Sequence, residues 1–535
     1  MASTPANNLT LVSTGLADAR LQPTIGNPLP NQFLKVLRKT TRWAAQWNRV
    51  DFDGSPEFGQ RVSLTLPRIG ELVSGFNIVV TMPDIYGPQL AALKAAGGTD
   101  HDNPGNFLGP TYGWTNSLGH ALIQQIELEI GGAIVETLDS RLLEILDELY
   151  ETLESAQAKN AMIKRKATGF GERTWLTDPS KTGPFTVTIP IPFWFSRPGV
   201  YSHALPIEAL KSDNVRVHVT FRPIESLYYT SARVDSRTIG FRPGQDVEGT
   251  MWGLQGGRFW CKKPDAATTV YSMSQNSVLL GDKGELIQGH TMPPKIFMPS
   301  AYALVEYISL EEYEALSFRS AELTYHVEQH LAVPVEQTKG QAEVRLAIPY
   351  SNPTKELLWV FQRPEAEAFN AWFLFTRDLA QTIPSYLYDN PCLKPWWPDA
   401  DLIPKQENDW QIVPGFQTAF SEPMTAATLL YNSYERVVQD GGSFFRVLVP
   451  AEHYVKPAIH NRYVYAYSFA QKAEFGNYEP AGQANWDKIP RKEFFLRMAK
   501  GRLDTKPPNM NLYVYTTIWN VFKVFGGRGA MLFTS

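Results

Sequence analysis

A short-range alternation of apolar and polar residues is the feature that most limits how this chain can fold. In IELEIGGAIVE (126–136), three apolar residues alternate with Glu127 and Glu129. A period of two places the apolar side chains on one face of a β-strand and the carboxylates on the other. The two glycines that follow can adopt the positive φ angles of a two-residue hairpin turn, so a return strand is predicted from Ala133.

The same alternation recurs along most of the chain. It is present at 62–66, 187–195, 215–221, 344–348, 463–469 and 512–525. Pro190 and Pro192 indicate an edge strand or the end of a strand, because proline cannot donate to a ladder. Many short strands separated by turns and long loops indicate β-sandwiches or barrels, so an all-β fold with a few short helices is predicted.

One segment has helical periodicity instead. Leucine and isoleucine recur at helical spacing between residues 138 and 153, and Asp139 or Ser140 can serve as the N-cap. We expect this helix to cover one end of the first pair of sheets.

Composition argues against a protein that coats nucleic acid. The 535 residues include 50 basic and 54 acidic side chains, for a formal net charge of −4, whereas a DNA-coating surface needs a basic excess. The one compact basic run, Lys164-Arg165-Lys166, follows a predicted helix, where cations complement the helix dipole. Hydrophobic content of 43% and charged content of 19% are typical of globular proteins.

Cysteine usage and the absence of apolar runs predict the environment of the chain. Cys261 and Cys392 are the two cysteines, which is too few for a disulfide framework, so a reducing compartment is expected. The first twenty residues lack the charged start and apolar core of a signal peptide. No run of about eighteen apolar residues is present that could span a membrane.

The two halves of the chain share a faint sequence similarity. VSLTLPRIGELVSGFNIVVTMP (62–83) and VRLAIPYSNPTKELLWVFQRP (344–364) each contain a strand that ends in proline, a short loop and a second such strand. Their positions suit a duplicated domain. The segment 229–296 has little pattern and is predicted to join the two domains. Insertions at 84–116 and 365–425 are long enough to be functional surfaces.

Several groups of carboxylates invite a catalytic interpretation, which the local pattern does not favour. Glu127, Glu129 and Glu136 are interpreted as the solvent side of a sheet. Glu311, Glu312 and Glu314 in SLEEYEAL (309–316) are expected to be solvated at a turn or strand end, although a carboxylate pair about 5–9.5 Å apart could cleave a glycoside.

Three further motifs also favour structural roles. His326 and His330 lie in a strand-like segment, where the i,i+4 spacing separates two imidazoles by about 13 Å, too far to share one metal ion. Trp396-Trp397 could stack on a sugar, or pack in a rigid proline-rich loop. The glycine-rich 526–529 is predicted to be a turn between the last two strands. Nucleotide-binding and hydrolase motifs do not occur, so we predict no catalytic, cofactor-binding or metal-binding residue.

In order along the chain, these segments resemble the major capsid proteins of the nucleocytoplasmic large DNA viruses. The similar stretches are NQFLKVLRKTTRWAAQ (31–46), 62–83, LGHALIQQIELEIGGAIVETLDSRLLEILDEL (118–149), 189–223, AYALVEYISLEEYEALSF (301–318), NPTKELLWVFQR (352–363), LYNSYERV (430–437), 467–489 and the final glycine-rich hairpin. In the resemblance, 301–318 corresponds to the strand that opens the second domain.

The chain departs from the family pattern at three turns. Asn432-Ser433 stands where the family often has Asn-Gly, Glu311-Glu312-Tyr313 replaces an Asp-Thr or Glu-Arg type of turn, and Ala481-Gly482 replaces Ser-Gly. The chain is therefore identified as a divergent member.

The resemblance implies a fold of two consecutive eight-stranded antiparallel jelly rolls with long loop insertions. We expect an N-terminal arm at 1–28, a first jelly roll at 29–228, the connection at 229–296 and a second jelly roll at 297–535. The resemblance further implies a homotrimer whose six jelly rolls form a pseudo-hexagonal capsomer that tiles an icosahedral shell, without catalysis or cofactor.

The same resemblance implies the partners and the location. Expected partners are neighbouring capsomers and minor capsid proteins, an inner membrane reached through minor proteins, and a host surface contacted by outer loops, with no direct contact to nucleic acid. The expected location is the outer shell of a virion assembled in the host cytoplasm. Two alternatives stay open at this point: a minor capsid or vertex protein of the same virus type, and a glycan-binding β-sandwich.

Overall fold

The computed structural model describes most of the predicted strands. It covers residues 41–83, 111–165, 184–197, 201–233, 259–262, 279–280, 286–287, 297–364, 372–377, 422–458, 463–473, 481–500 and 505–533. Residues 43–535 form one compact unit; of residues 1–42, only 41 and 42 are described.

The elements are numbered in chain order. The strands are β1 Trp43–Asp51, β2 Arg61–Thr65, β3 Leu72–Met82, β4 Thr111–Trp114, β5 Ile123–Ile130, β6 Ala133–Asp139, β7 Phe185–Pro190, β8 Val215–Phe221, β9 Tyr228–Arg233, β10 Phe259–Lys262, β11 Leu279–Leu280, β12 Leu286–Ile287, β13 Ser300–Leu310, β14 Leu323–Ala332, β15 Glu336–Gln337, β16 Glu343–Ala347, β17 Pro353–Gln362, β18 Met424–Tyr431, β19 Tyr434–Asp440, β20 Val464–Ser468, β21 Ala484–Asn485, β22 Lys492–Met498, β23 Asn511–Phe525 and β24 Arg528–Met531. The α-helices are α1 Leu118–Leu122, α2 Ser140–Tyr150, α3 Leu153–Ile163, α4 Glu312–Ser320 and α5 Val449–His453, with a π-helical turn at Phe444–Leu448 and 3₁₀ turns at Tyr201–His203, Ile224–Ser226 and Trp486–Lys488.

Four antiparallel sheets form two sandwiches. Sheet 1 has the order β1-β13-β3-β7 and sheet 2 the order β2-β8-β5-β6. Sheet 3 has the order β14-β23-β17-β20, with β15, β21 and β24 added, and sheet 4 the order β16-β22-β18-β19. The sequence order of the strands is the same in sheets 1 and 3, and again in sheets 2 and 4. The predicted pair of eight-stranded jelly rolls is therefore confirmed.

Alternating strands build the core of each sandwich. In β8 the pattern VRVHVTF buries its valines and Phe221 and leaves the polar residues on the outward face. In the second sandwich, Trp359 of sheet 3 meets Phe494 of sheet 4 edge to face, with ring centroids 4.8 Å apart. Apolar side chains from all four sheets belong to one hydrophobic cluster, so the two sandwiches share a continuous core.

The strand assigned to the start of the second domain belongs to the first sandwich. β13 pairs with β1 from Trp43 to Asp51 and with β3 from Leu72 to Thr81, so it is a central strand of sheet 1. The expectation that 301–318 opens the second domain is therefore wrong, because the first sheet is incomplete without this strand. The segment 229–296 accordingly lies between the seventh and eighth strands of the first sandwich.

Several local predictions are confirmed and two are corrected. Helix α2 begins after Asp139, whose side chain accepts a hydrogen bond from the Leu142 amide at 2.7 Å. The similar segments 62–83 and 344–364 occupy matching positions, β2–β3 and β16–β17. β7 is an edge strand and ends at Pro190, so the predicted strand does not continue to residue 195. The 309–316 segment leads into helix α4, where a turn or strand end was expected.

Little of the predicted joining segment and insertions is described. Within 229–296, β9 and β10 pair with each other, and β9 also pairs with β4, which belongs to the insertion 84–116. The rest of that insertion, and most of 365–425, lies outside the described residues.

Candidate functional site

Two of the three carboxylates in the first hairpin lie on the outward face of sheet 2. Glu127 accepts a hydrogen bond from Arg61 at 2.5 Å, and Glu129 pairs with His218 at 2.6 Å. Both side chains remain partly exposed, at 15% and 18%. The prediction that they form a solvated side of a sheet is correct for these two residues.

Glu136 contradicts that prediction, because it is buried with 2% exposure. A β-bulge shifts the register of β5 against β6, so Glu136 lies opposite the inward-facing Leu128, and Ile134 takes the outward position opposite Glu129. Neither carboxylate oxygen of Glu136 accepts a hydrogen bond of standard geometry. Burial raises the pKa of Glu136 to about 8, against the opposing effects of Arg197 and the nearby Trp194 backbone amide.

Close to Glu136, a buried ionic network joins the two sandwiches. Arg197, which follows β7, donates to Glu328 of β14, and Lys355 of β17 donates to the other oxygen of Glu328 at 2.5 Å. Burial opposes ionisation of Glu328, but Lys355 and Arg197 lower its pKa to about 2. Removing one partner of such a network is costly, since an uncompensated charge stays buried.

Helix α2 makes a second set of polar contacts with sheet 3. The Tyr150 hydroxyl donates to Glu356 at 2.6 Å, and Thr517 donates to the same carboxylate at 2.6 Å. At the other end of the helix, Arg141 donates to Gln362 at 2.9 and 2.8 Å. Burial, followed by the Glu356 charge, raises the pKa of Tyr150 well above its ordinary value.

Asp139 links the helix cap to the second sandwich. One of its oxygens caps α2, and the other accepts a hydrogen bond from the Tyr515 hydroxyl of β23 at 2.6 Å. We call this whole contact area between α2, β6 and Arg197 on one side and sheet 3 on the other the sandwich interface.

A third cluster holds the helices of the first sandwich together. Arg165 donates to Glu144 at 2.5 Å and also to Asp147, and His120 Nδ1 lies 2.7 Å from Glu144. Burial opposes ionisation of Asp147, but Arg165 and Lys159 hold its pKa well below the usual range. Burial lowers the pKa of His120. Helix α3 ends at Ile163, as the basic run at 164–166 indicated. Arg165 does more than complement the helix dipole, because it binds two buried carboxylates.

The two histidines of the HVEQH segment lie on strand β14, as predicted, and have separate surroundings. His330 is buried, with Nδ1 3.0 Å from the Thr517 hydroxyl, and burial followed by the Arg197 charge lowers its pKa to about 3. The His326 backbone carbonyl lies 2.6 Å from Nε2 of His203. Among the described residues, no group of three or more His, Cys, Asp or Glu side chains could hold a metal ion.

The remaining predicted residues divide between the described and the undescribed chain. Glu311 and Glu312 are exposed at the start of helix α4, where acidic groups are favourable. Gly526 and Gly527, with φ angles of 59° and 83°, form the predicted turn between β23 and β24. Trp396, Trp397, Cys392 and Lys166 lie outside the described residues, so the sugar-platform interpretation of the tryptophans stays untested.

A cleft of about 460 Å³ lies between the sandwiches, next to α2. Two arginines line it, and both are already engaged: Arg141 binds Gln362, and Arg222 binds Ser140 at 2.9 Å. The Arg222 guanidinium also lies 3.8 Å from the ring centroid of Trp372. These arginines act as interface contacts, so the cleft offers no prepared anion site.

The outward face of sheet 1 has an exposed aromatic side chain that packs over a glycine. Trp47 of β1 is 51% exposed and lies over β3, where a Cβ atom on Gly75 would come within 2.8 Å of its ring. Next to it, the Arg49 guanidinium lies 4.3 Å from the ring centroid of Tyr302. A large aromatic side chain that stays half exposed is typical of a protein–protein contact.

Sequence reasoning missed the sandwich interface and the exposed face of sheet 1. The alternation in WAAQWNRVD (43–51) was a signal for an exposed strand with two tryptophans. Nothing in the local pattern showed that Glu328, Lys355 and Glu356 would be buried, since they occur in segments that look half-exposed. In the described part of the chain, no helix has the length and hydropathy needed to cross a membrane.

Comparison with known families gives matches in both halves of the chain. A family model described as the major capsid protein N-terminus matches residues 31–250, and one described as the large eukaryotic DNA virus major capsid protein matches residues 314–530. The gap between the two matched ranges contains strand β13, which completes sheet 1.

Full-length relatives are similar at low identity. The probable capsid protein 4 of Acanthamoeba polyphaga mimivirus is 22% identical over 98% of this chain and 98% of its own length. The major capsid protein of Chrysochromulina ericina virus is 21% identical over 98% of this chain and 99% of its own length.

Solved structures share the fold. The PBCV-1 VP54 structure that was fitted into a reconstruction of the virophage Sputnik superposes with a TM-score of 0.63 at 17% identity, over 94% of this chain and 100% of that chain. The Faustovirus major capsid protein superposes with a TM-score of 0.59 at 10% identity, over 97% and 96% of the two chains.

Proposed function

Because the chain belongs to the family of large eukaryotic DNA virus major capsid proteins, whose role is structural, we propose that it forms a homotrimeric capsomer of six jelly rolls. Such capsomers tile the outer icosahedral shell of the virion. The protein acts through shape and contact and performs no catalysis.

The observation that carries this proposal is the sandwich interface. Two sandwiches with the same strand order are joined by buried charges, including Glu328 between Arg197 and Lys355. Apolar side chains of both sandwiches also belong to one continuous cluster, so the two sandwiches form a single block. A rigid block of two similar units is what a trimer needs in order to present a nearly sixfold outline to its neighbours.

We propose the following division of the chain. The first jelly roll extends from β1 to β13, the second begins at β14, and the residues before β1 form an N-terminal arm. The insertions at 84–116 and 365–425 project as outer loops. The division is supported by the pairing of β13 with β1 and β3.

The proposed partners follow from the position of a shell protein. Neighbouring capsomers and minor capsid proteins contact its sides, minor proteins connect it to an inner membrane, and the outer loops meet the host surface. The genome is not a direct partner, which the net charge of −4 supports. Assembly takes place in the host cytoplasm.

Native mass spectrometry of the purified full chain tests the oligomeric state. We expect a species of three chains, each of 60.2 kDa, that persists on dilution into the micromolar range. A chain that stays monomeric at high concentration would contradict the proposed capsomer. Copy number in purified particles separates the shell tile from a vertex protein, because a tile is present in far more copies.

A further inference from the structure

Sheets 1 and 3 occupy equivalent positions in the two sandwiches. The outward face of sheet 3 is covered by the first sandwich, whereas no described helix covers the centre of the outward face of sheet 1. Sheet 3 is buried on both sides: every residue of β17 except Pro353 is buried, as are four consecutive residues of β14, 327–330. Its outward face receives α2 of the first sandwich through Tyr150 and Arg141.

The outward face of sheet 1 has the same strand order, and among the described residues no helix covers its centre. In β13, the inward positions are buried whereas Tyr302, Leu304 and Glu306 alternate with them and remain partly exposed. Trp47 and Arg49 extend this surface onto β1, which is exposed along most of its length. We define these five residues as the open face. Helix α4 reaches only one end of the sheet, through Phe318.

The second sandwich has an unused counterpart of α2. In the first sandwich, α2 directly follows the fifth strand, β6, and all of its residues are buried. In the second sandwich the fifth strand is β19, and the helical segment 444–453 follows it. There Val447 and Leu448 are 41% and 47% exposed. We define these two residues as the docking segment.

From this correspondence we infer that the docking segment of one copy binds the open face of a second copy, in the way that α2 binds sheet 3 within the chain. Each copy then offers one docking segment and one open face, which makes the contact head-to-tail. A head-to-tail contact closes into a ring when its rotation divides a full turn. Because each chain already contains one such contact between its own sandwiches, three copies alternate internal and external contacts around a ring of six.

The open face has the physical character of a binding site for an apolar segment. The Trp47 ring packs against Gly75, and a tryptophan side chain has only two rotatable bonds, so little side-chain entropy is lost when it becomes covered. Tyr302 and Leu304 supply apolar area beside it, and Arg49 lies on the ring of Tyr302. Large aromatic and arginine side chains dominate the binding energy of protein interfaces. Val447 and Leu448 lack polar groups that would need partners on docking.

The test uses two single substitutions in the full chain, Trp47→Glu on the open face and Leu448→Glu in the docking segment. Since each removes one half of the same contact, both variants are expected to shift from three chain masses to one in native mass spectrometry. Phe525→Glu is the matched control, because Phe525 is 73% exposed and belongs to neither surface. This control is expected to remain trimeric. Circular dichroism of each variant should match that of the wild-type chain.

Mixing the two variants distinguishes a head-to-tail contact from a symmetric one. The Trp47→Glu chain keeps its docking segment and the Leu448→Glu chain keeps its open face, so an equimolar mixture is expected to form a species of two chains. Neither variant forms it alone. If the three open faces instead met one another around the threefold axis, Leu448→Glu would remain trimeric and the mixture would show no two-chain species, which would overturn the inference.

The outcomes also separate this inference from the proposed capsomer, on which it rests. A wild-type trimer that both substitutions leave intact would overturn the docking inference and keep the capsomer. A wild-type monomer would overturn both. If Trp47→Glu fails to fold, Arg49→Glu on the same face provides the equivalent test, because its side chain is 58% exposed.

Discussion

At the scale of single residues, the two equivalent turns after the fourth strand of each sandwich differ in chemistry. Gly131 and Gly132 connect β5 to β6 with φ angles of 62° and 87°. Asn432 and Ser433 connect β18 to β19 with φ angles of 51° and 70°. Positive φ is free of strain for glycine and tolerable for asparagine, but it costs about 1–2 kcal/mol for a residue such as serine. Serine at position 433, where the family often has glycine, therefore strains the backbone of this turn.

Replacing Ser433 by glycine should relieve this strain. We expect Ser433→Gly to raise the free energy of unfolding by about 0.5–1 kcal/mol, after allowing for the greater freedom of glycine in the unfolded chain. The reverse change, Gly132→Ser, is a matched control: no atom lies within 4 Å of its Cβ position, so strain alone should lower stability. Urea denaturation measures both. Equal stability of all three chains would argue against strain at this turn.

At the scale of elements, α2 is stabilised both by its own cap and by the neighbouring sandwich. Asp139 is the residue where these two effects meet, since it binds the Leu142 amide and the Tyr515 hydroxyl. A change at this position therefore affects the helix and the sandwich interface together.

Asp139→Ala should consequently cost more than the loss of either contact. We expect a loss of about 2–4 kcal/mol, from a missing cap and an unsatisfied buried hydroxyl. Tyr515→Phe removes only the contact between sandwiches and should cost about 1 kcal/mol. The difference between the two variants, measured by denaturant midpoints, reports the cap together with the unsatisfied Tyr515 hydroxyl. If the two variants were equally stable, neither would contribute measurably.

The predictability of these elements from sequence depends on how local their cause is. The alternation in β5 and β8 and the leucine spacing of α2 are local, so strands, helix and cap were predicted from nearby residues. The partner of a strand is not local, and the alternation of β13 therefore did not show that it belongs to sheet 1. Glu136 was assigned to the wrong face because a β-bulge shifts the register between β5 and β6 by one residue, which exchanges inward and outward positions.

The buried ion clusters were hidden for a related reason. Glu144 and Asp147 are on a helix whose leucines predicted one buried side, yet the whole helix is buried. Arg165 and His120 cover the side with these two carboxylates, and sheet 3 contacts the helix at Arg141 and Tyr150. Their partner Arg165 comes after the next helix, α3. Single-sequence patterns contain no information about which charges meet across such distances.

At the scale of the whole molecule, the sandwich interface contains one carboxyl that works against folding when it is charged. Glu136 has no hydrogen-bond partner of standard geometry, and it faces the charges of Arg197 and Glu328. Its pKa is about 8 in the folded chain, against an ordinary value of 4.5. Between pH 4.5 and pH 8, Glu136 is therefore protonated in the folded state and ionised in the unfolded state.

Stability should consequently fall as pH rises from about 4.5 to 8. The contribution of Glu136 is fully present below pH 4.5 and is lost as pH passes through its folded pKa, a change of about 5 kcal/mol at 1.36 kcal/mol per pKa unit. We expect Glu136→Gln to remove this loss and to exceed the wild-type stability at pH 8. Glu127→Gln, at a partly exposed pair, should follow the wild-type curve. Parallel curves for Glu136→Gln and wild type, from urea denaturation across this pH range, would contradict the prediction.

The central position of β13 affects the order in which the protein can fold during synthesis. Its partners β1 and β3 leave the ribosome more than two hundred residues earlier, and until residue 310 has emerged they have no strand between them. β23 has the same place in sheet 3, near the end of the chain. Each half of the nascent polypeptide therefore exposes unpaired strand edges for most of its translation, and it depends on protection from aggregation until its last strand arrives.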